Sequence, residues 1–382
     1  MFALGVGGFA IGTTEFVTMG LLPEIADGVG VDIPTAGHIV SAYALGVVVG
    51  APTLAVLGAR LPRKGLLVAL MTLFAVAHVA LMFMHTYGGV MALRFVCGLP
   101  HGAFFGIASL VAASLVAPQR RTQAVANVLL GLTVSNIVGV PVATMLGQRF
   151  GWQAAYVVTG VIGVLCVLAM LAWVPVQRAS TDGSVLREFS ALRRPQVWLA
   201  LGIGTVGFGG MFSTYSYISP TMQTLGGWSA AAIPFILSLY GTGSTVGALL
   251  AGRVASRGVL RGIFVLLGAI AVALALFGPA AHSKPLGLVM TFVIGALPSM
   301  LVPMLQTRLM DVAHEGQSLA AALNHSTLNL ANALGAWLGS LVLAAGLGYE
   351  WPSRIGVVLA LLGMGVAAWS AALGRRQTAT AH

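Results

Sequence analysis

Charged residues are scarce in this sequence. Only 7% of the 382 residues are charged, whereas 58% are hydrophobic, and the mean hydropathy is +0.95. A soluble domain usually carries about 25% charged residues, and surface-to-volume scaling prevents a soluble fold from hiding this much apolar surface. The composition therefore excludes an ordinary soluble domain and indicates a protein that is embedded in lipid.

Cysteine and the common ligand motifs are also nearly absent. Cys97 and Cys166 both lie in apolar segments and form neither a disulfide pattern nor a metal pattern. No spacing among His, Cys, Asp and Glu predicts a zinc site, and no P-loop predicts ATP hydrolysis. We therefore expect no metal and no cofactor. The net charge of +10 is spread over short loops without a basic face, so nucleic acid is not an expected partner.

Long hydrophobic runs, in contrast, fill the chain. A helix needs about 20 apolar residues to cross the bilayer core, and twelve such runs predict an all-α membrane protein. The predicted transmembrane helices cover residues 2–26, 35–58, 65–84, 88–116, 123–147, 153–175, 196–219, 230–251, 262–281, 286–307, 317–346 and 353–373. The two longest, 88–116 and 317–346, must tilt or extend beyond the bilayer.

Lysine and arginine are distributed unevenly over the connecting loops. Of these 19 residues, 15 lie in one alternate set of loops and chain ends, while the other set holds Arg149, Lys284 and Arg354, and Arg94 lies inside a run. Cytoplasmic loops carry the excess of Lys and Arg. The distribution therefore predicts a multi-pass membrane protein with both termini in the cytoplasm.

One polar connection, 176–195, divides the chain nearly in half. It predicts an N-terminal six-helix half over 1–175, a cytoplasmic linker over 176–195 and a C-terminal six-helix half over 196–382. In the linker, Leu186, Phe189 and Leu192 would form the apolar stripe of a short helix on the membrane surface. A disordered linker is the alternative.

The two halves also resemble each other in sequence. The pattern Ser41, Tyr43, Gly46, Gly50 recurs 197 residues later as Ser238, Tyr240, Gly243, Gly247. A duplicated six-helix unit with both copies in the same orientation predicts a cavity between the halves, near the middle of the membrane.

The opening run over residues 12–26, GTTEFVTMGLLPEIA, carries a family resemblance. It is similar to the first helix of the sugar-efflux, nucleoside-efflux and chloramphenicol-exporter branch of the twelve-span drug:proton antiporters, within the major facilitator superfamily. The resemblance covers the whole chain and is strongest in the first half. It implies the major facilitator fold, a transport function and a location in the bacterial inner membrane.

Three motifs extend this resemblance. The loop after the second helix keeps Arg60, Arg63 and Lys64, but Ala59 stands where the family usually has an acid, which puts the usual cytoplasmic gating lock in doubt. The motif of the fourth helix appears as Arg94 with Gly98. The exporter signature of the fifth helix appears in a slightly degenerate form, with the residues Gly131, Gly139, Pro141 and Gly147. Gly139 and Pro141 are accordingly expected to take part in gating, and the signature favours export over uptake.

Glu15 and Arg94 are the candidates for proton coupling. Glu15 lies about 20 Å into the first run at 1.5 Å per residue, and an ionisable group at that depth is costly unless it has a function. Gly8 and Gly12 share its helix face, so this face should pack against protein. A glutamate held permanently by hydrogen bonds is the alternative. Arg94 either finds acceptors in the interior or extends to the interface.

A set of polar and aromatic residues in the runs could line a substrate cavity. Such cavities are mostly apolar with a few placed polar groups, although each of these residues could instead join helices together. The set comprises Thr14, Met19, His101, Phe105, Asn136, Tyr215, Tyr217, Tyr240, Gln306, Asn324 and His325. Among them, the two histidines would either titrate near neutral pH or pack as neutral rings.

These features predict a proton-coupled secondary transporter, a monomer in the lipid bilayer, that exports a small molecule such as a sugar, a nucleoside or an amphiphilic drug. An uptake symporter or a facilitator of the same fold is the first alternative. An intramembrane enzyme is the second, and it lacks a nucleophile, base and metal at one depth.

Overall fold

The computed structural model describes residues 1–58, 61–117, 120–176, 192–256, 258–313 and 317–379. Within these ranges, twelve helices are long and apolar enough to cross a membrane, and no strand is present. Helices suit this environment because each satisfies its own backbone hydrogen bonds without water. The predicted all-α membrane fold with twelve spans is confirmed.

The spans are numbered in chain order. Spans 1 to 6 are the helices Phe2–Gly20, Ile33–Gly58, Arg63–Ala80, Tyr87–Ser114, the two-part helix Arg121–Val134 with Val140–Phe150, and Trp152–Trp173. Spans 7 to 12 are the two-part helix Pro195–Gly202 with Phe208–Tyr215, then Ile233–Ala255, Val259–Ala281, Lys284–Ala313, Gln317–Ala344 and Trp351–Ala379. The π-helical segments Ser135–Gly139 and Ile203–Gly207 join the parts of spans 5 and 7.

The first predicted run, 2–26, is two helices rather than one. Span 1 ends at Gly20, and a short helix, Leu22–Val29, follows and ends at Gly30. Gly30 closes it with φ of 70°, the left-handed conformation that glycine adopts without steric cost. A second short helix, Ile218–Thr224, follows span 7. The proposed surface helix in the linker and the gating residue Arg60 lie outside the described residues.

Close helix contacts repeat between the two halves. A Cβ added at Gly98 of span 4 would collide with the Tyr43 carbonyl of span 2, and one added at Gly295 of span 10 would collide with the Tyr240 carbonyl of span 8. The second pair follows the first by 197 residues, the spacing of the sequence repeat. Small residues let backbones approach where lipid offers no hydrophobic drive. The six-helix pseudo-repeat is therefore present in the packing as well as in the sequence.

Large apolar side chains cover the outside of the bundle. Leu57, Leu249 and Val176 are each at least 75% exposed. An exposed apolar surface of this kind marks a surface that meets lipid or a partner rather than water. Together with the twelve spans, it defines a multi-pass membrane protein.

The two halves meet mainly at one end of the bundle. We call the end that holds Met1 and Ala379 the terminal end, and the other the closed end. All four described hydrogen bonds between the halves lie in the middle of the bundle or toward the closed end. They are Ser238 Oγ to the Ile137 carbonyl (3.0 Å), Ser41 Oγ to the Ala333 carbonyl (3.0 Å), Gln148 Nε2 to the Ala230 carbonyl (2.9 Å) and the bond between His38 Nε2 and Ser340 Oγ (3.1 Å). Among the described residues, none joins the halves at the terminal end.

Candidate functional site

Arg94 is enclosed completely within the N-terminal half. Its side chain is 0% exposed, its Nη1 donates to Thr14 Oγ1 at 2.8 Å, and its Nη2 donates to the Thr14 carbonyl at 3.3 Å. The guanidinium also lies over the ring of Tyr43, 4.3 Å from its centroid, and 5.3 Å from that of Tyr156. Such cation–π contacts stabilise a desolvated guanidinium. Arg94 therefore finds acceptors in the interior and does not extend to the interface.

Thr14 connects Arg94 to a buried histidine. His78 Nδ1 lies 2.7 Å from the Phe74 carbonyl and its Nε2 lies 2.6 Å from Thr14 Oγ1. Because a carbonyl only accepts, Nδ1 carries the proton, and Nε2 of the neutral ring accepts from the Thr14 hydroxyl. The Thr14 oxygen thus accepts from Arg94 while its hydrogen points to His78. The arrangement fixes the orientation of the guanidinium.

Glu15 lies beside this network, where the two halves meet. Its side chain is 7% exposed and makes no hydrogen bond to any residue of the described ranges. Its charge interacts with Arg94 and with the hydroxyls of Tyr43 in the N-terminal half and Tyr215 and Tyr240 in the C-terminal half. Among the described acidic residues, Glu15 alone lies in the middle of a span. The carboxyl is therefore an ionisable group between the halves that no described residue holds by a hydrogen bond.

Aromatic rings form one wall next to Glu15. Tyr215 and Tyr240 stack with their centroids 3.8 Å apart. Phe16, the neighbour of Glu15, stacks on Phe212 at 6.5 Å and meets the edge of Tyr215 at 5.7 Å. Met19 packs into the same core. The predicted residues Met19, Tyr215 and Tyr240 thus lie together around Glu15. Met19 shares span 1 with Glu15, and the two tyrosines come from the C-terminal half.

A second aromatic contact joins the halves through His325. The hydroxyl of Tyr43 is 3.0 Å from His101 Nδ1, and the His101 ring meets the edge of Phe105 at 5.4 Å. Phe105 in turn stacks on His325 of span 11, with centroids 5.8 Å apart and planes inclined by 3°. The predicted His101, Phe105 and His325 therefore form one row of rings. The row begins at Tyr43, whose ring lies against the Arg94 guanidinium.

The remaining predicted cavity residues are more dispersed. Asn136 is 9% exposed in the π-helical segment of span 5, and its Oδ1 is buried without a partner. Asn324 is buried on span 11 and Gln306 is half-buried on span 10. Tyr217 lies apart, because its hydroxyl donates to the Ala336 carbonyl at 2.7 Å within the closed end. Within the described ranges, no three His, Cys, Asp or Glu side chains come together as a metal would require.

The signature of span 5 packs directly on span 1. A Cβ at Gly131 would collide with the Gly5 carbonyl, and one at Gly139 would collide with the Thr13 hydroxyl. Pro141, also buried, follows two residues later. The glycines therefore set how closely span 5 approaches the helix that carries Glu15.

The described basic residues of the predicted gating loop lie at the terminal end. Lys64 Nζ donates to the Leu171 carbonyl, the last turn of span 6, at 2.8 Å. Arg63 begins span 3 and makes no hydrogen bond to a described residue. Neither side chain makes a hydrogen bond to a described residue of the C-terminal half, so in this conformation they do not connect the described parts of the halves.

Sequence reasoning missed several partners of the site. Tyr43, His78 and Tyr156 surround Arg94, and His38 joins Tyr87 (3.2 Å) to Ser340 in the closed end. His38 and His78 had no evident partner in the sequence. The available signal was that each is a polar residue inside an apolar run, where an unsatisfied polar group is costly.

The sequence matches a known protein family over most of its length. Residues 4–324 match the family model described as Major Facilitator Superfamily. The chain is 40% identical over 368 residues to the inner membrane transport protein YdhP of Escherichia coli strain K12, covering 95% of this chain and 94% of that one. It is 32% identical over 378 residues to a chloramphenicol resistance protein of Streptomyces lividans, covering 95% and 94%.

Solved structures agree on the fold. The crystal structure of a bacterial homolog to the human lysosomal transporter Spinster, in an inward-facing and unoccupied conformation, matches with a TM-score of 0.75 at 14% identity, covering 97% of this chain and 95% of that one. The human organic anion transporter MFSD10 matches with a TM-score of 0.69 at 15% identity, covering 96% and 98%. The twelve spans, the paired halves and these relatives show that the chain belongs to the major facilitator superfamily of membrane transporters.

Proposed function

We propose that this transporter of the inner membrane exports an uncharged, amphiphilic small molecule in exchange for protons. The observation that carries the proposal is the position of Glu15. It is a buried carboxyl between the halves, without a hydrogen bond to a described residue, and it lies within the electrostatic reach of Arg94. A group in that position changes its charge and its surroundings when the halves move.

The coupling follows from electrostatics. Ionised Glu15 is stabilised by the Arg94 guanidinium, which Thr14 and two tyrosine rings hold in place. When the closed end opens, water reaches Glu15 from the other side and protonates it. Protonation removes the attraction to Arg94, so the relative stability of the two conformations changes with the charge of one group. Arg94 acts as the fixed counter-ion.

The surroundings of Glu15 support an uncharged aromatic or amphiphilic substrate. Four aromatic rings and a methionine lie next to it, and the Oδ1 of Asn136 is a buried acceptor without a partner. Neither Phe212 nor Tyr215 brings a charge to balance an ionic substrate. Sugars, nucleosides and phenicols all fit this chemistry, and the relative from Streptomyces lividans makes chloramphenicol the first compound to test.

The direction of transport is supported by the signature of span 5 and by the basic loops. The 15 Lys and Arg residues that lie in one set of loops and ends support a cytoplasmic position for the terminal end. In that orientation, the described hydrogen bonds between the halves hold the outer side together, and none among the described residues does so on the cytoplasmic side. This is the conformation from which an exporter loads its substrate. The monomer, with its complete site, is the functional unit.

Vesicles of known polarity test the proposal. In inside-out membrane vesicles, an outward-pumping exchanger accumulates labelled chloramphenicol when respiration acidifies the lumen, and a protonophore abolishes the accumulation. An uptake symporter instead accumulates substrate in right-side-out vesicles, and a facilitator accumulates it in neither. For variants of Glu15 in this assay, Asp27→Asn is the matched control. It removes an exposed carboxylate outside the spans and should leave transport unchanged.

A further inference from the structure

A cavity at the terminal end of the C-terminal half lies far from Glu15 and takes no part in the transport site. It has a volume of about 230 Å³ and opens between the start of span 7, the end of span 10 and the end of span 12. This is several times the roughly 30 Å³ that one water occupies in the liquid. The cavity therefore has room for a small polar group with its hydration.

Two arginines line this cavity, and part of their hydrogen-bonding capacity is left unsatisfied by the described residues. The Nε of Arg308 is buried without a partner among the described residues, although its Nη2 donates to Gln196 Oε1 at 3.2 Å and to Ser370 Oγ at 3.1 Å. The Arg194 side chain makes no hydrogen bond to a described residue and forms no ion pair with Asp311, which also lines the cavity. Among the described lining residues, two guanidinium groups and one carboxylate leave a net positive charge.

Gln196 and Ser370 hold Arg308 in position. Gln196 is 8% exposed, its Nε2 donates to the Ser370 carbonyl at 3.0 Å, and its Oε1 accepts from the Ser370 hydroxyl at 2.6 Å. Gln196 lies in the first turn of span 7, which begins at Pro195. The positive end of that helix dipole adds to the charge of the cavity. The guanidinium is therefore preorganised for an anion before any ligand arrives.

The depth of the cavity matches the lipid head groups. Trp198 on span 7 is 59% exposed, and Trp369, next to Ser370 on span 12, is 66% exposed. Exposed tryptophans concentrate at the interface between the hydrocarbon and the head groups. The cavity opens at the level of these two rings, where phosphate is the commonest anion.

We propose that this cavity binds a phosphate group, and that the phosphate belongs to an anionic phospholipid seated between spans 7, 10 and 12. Planar guanidinium groups recognise phosphate through paired, charge-assisted hydrogen bonds. Basic pockets between transmembrane helices are suited to acidic head groups. Asp311 limits the affinity for phosphate, since its carboxylate also lines the cavity and carries the same sign of charge as the phosphate.

Native mass spectrometry of the full-length protein in detergent tests the proposal. The probes are dioctanoyl-phosphatidylglycerol, dioctanoyl-phosphatidylcholine, whose choline neutralises the head group, and inorganic phosphate. We expect one phosphatidylglycerol per protein, bound more tightly than phosphatidylcholine. Arg194→Gln should weaken it by roughly ten-fold, the loss of one charge-assisted contact. Arg193→Gln, which removes a neighbouring exposed charge outside the cavity, should leave it unchanged.

Two further variants make the test decisive. Asp311→Asn should strengthen binding of phosphatidylglycerol, which a merely destabilised protein would not do. Arg308→Gln should weaken it, and Arg194→Gln covers the case in which loss of the Arg308 contacts prevents folding. Inorganic phosphate that binds with the same pattern of variants, while phosphatidylglycerol does not, would assign the site to a soluble anion and contradict the lipid. Equal weakening by Arg193→Gln and Arg194→Gln, or no binding of any probe, would overturn the site itself.

Discussion

Replacing Thr14 by valine removes the hydroxyl that joins Arg94 to His78 and preserves the shape of the side chain. In the structure, this oxygen accepts from Arg94 Nη1 at 2.8 Å and its hydrogen points to His78 Nε2 at 2.6 Å. The valine variant therefore leaves two buried polar atoms without their partner. Thr14→Ser is the matched control, because it keeps the hydroxyl and loses only a methyl group.

Two sets of hydrogen-bond free energies bear on the stability of Thr14→Val. A hydrogen bond to a charged group contributes about 1.5–3 kcal/mol, and an orphaned buried acceptor costs about 1–3 kcal/mol. Hydrogen bonds between transmembrane helices, however, average only about 0.6 kcal/mol, with a maximum near 1.7. Arg94 also keeps the Thr14 carbonyl and two aromatic rings. We therefore expect Thr14→Val to lose about 1–3 kcal/mol of unfolding free energy, and Thr14→Ser less than about 1 kcal/mol.

Unfolding in mixed micelles at increasing SDS, followed by tryptophan fluorescence, measures the difference. The transport rate of Thr14→Val should fall by more than its loss of unfolding free energy explains, because the guanidinium loses its fixed orientation toward Glu15. Equal stability and equal transport in the valine and serine variants would refute the network, since the hydroxyl would then contribute nothing.

Three further predictions concern packing, pH and the aromatic wall. Gly98→Val should lose more than about 3 kcal/mol of stability because its side chain meets backbone, whereas Gly106→Ala, with no atom within 4 Å, should lose less than about 1 kcal/mol in the same assay. A hydrogen bond from His282 at 2.8 Å holds the pKa of Glu350 below its ordinary value, so the melting temperature of wild type should exceed that of Glu350→Gln at pH 7 and the difference should vanish as the pH falls through that lowered pKa. Tyr240→Ala should raise the KM for substrate about five-fold by removing the stacked ring, whereas Tyr240→Phe should leave it nearly unchanged.

The fold was largely predictable because lipid imposes simple rules on sequence. Apolar runs of about 20 residues gave all twelve spans. The break between the helices at Leu21 was not predictable in the same way. Leu21 and Leu22 are both apolar, so the hydropathy of the run is the same whether one helix or two cover it. The repeat was visible in the glycines because close contacts such as Gly98 with Tyr43 and Gly295 with Tyr240 require them.

The site residues that were predictable are those identified by a charged side chain deep inside a predicted span. Glu15 and Arg94 stand out because charges are rare inside spans. Their partners were not found, since His78 lies 64 residues from Thr14 and Arg94 lies 80 residues from it. A single sequence does not reveal such distant pairs. The repeat is asymmetric at this site, because the position 197 residues after Arg94 is Thr291, whose hydroxyl donates to a carbonyl of its own helix.

The central claim is that Glu15 carries the transported proton. Its most direct test compares wild type with Glu15→Gln in proteoliposomes, with substrate-evoked proton flux and substrate counterflow measured on the same preparation. Glutamine keeps the size of the side chain and cannot titrate. We predict that Glu15→Gln abolishes the proton flux while counterflow, which needs no net proton movement, continues. Proton flux that persists in Glu15→Gln at the wild-type rate would contradict the account.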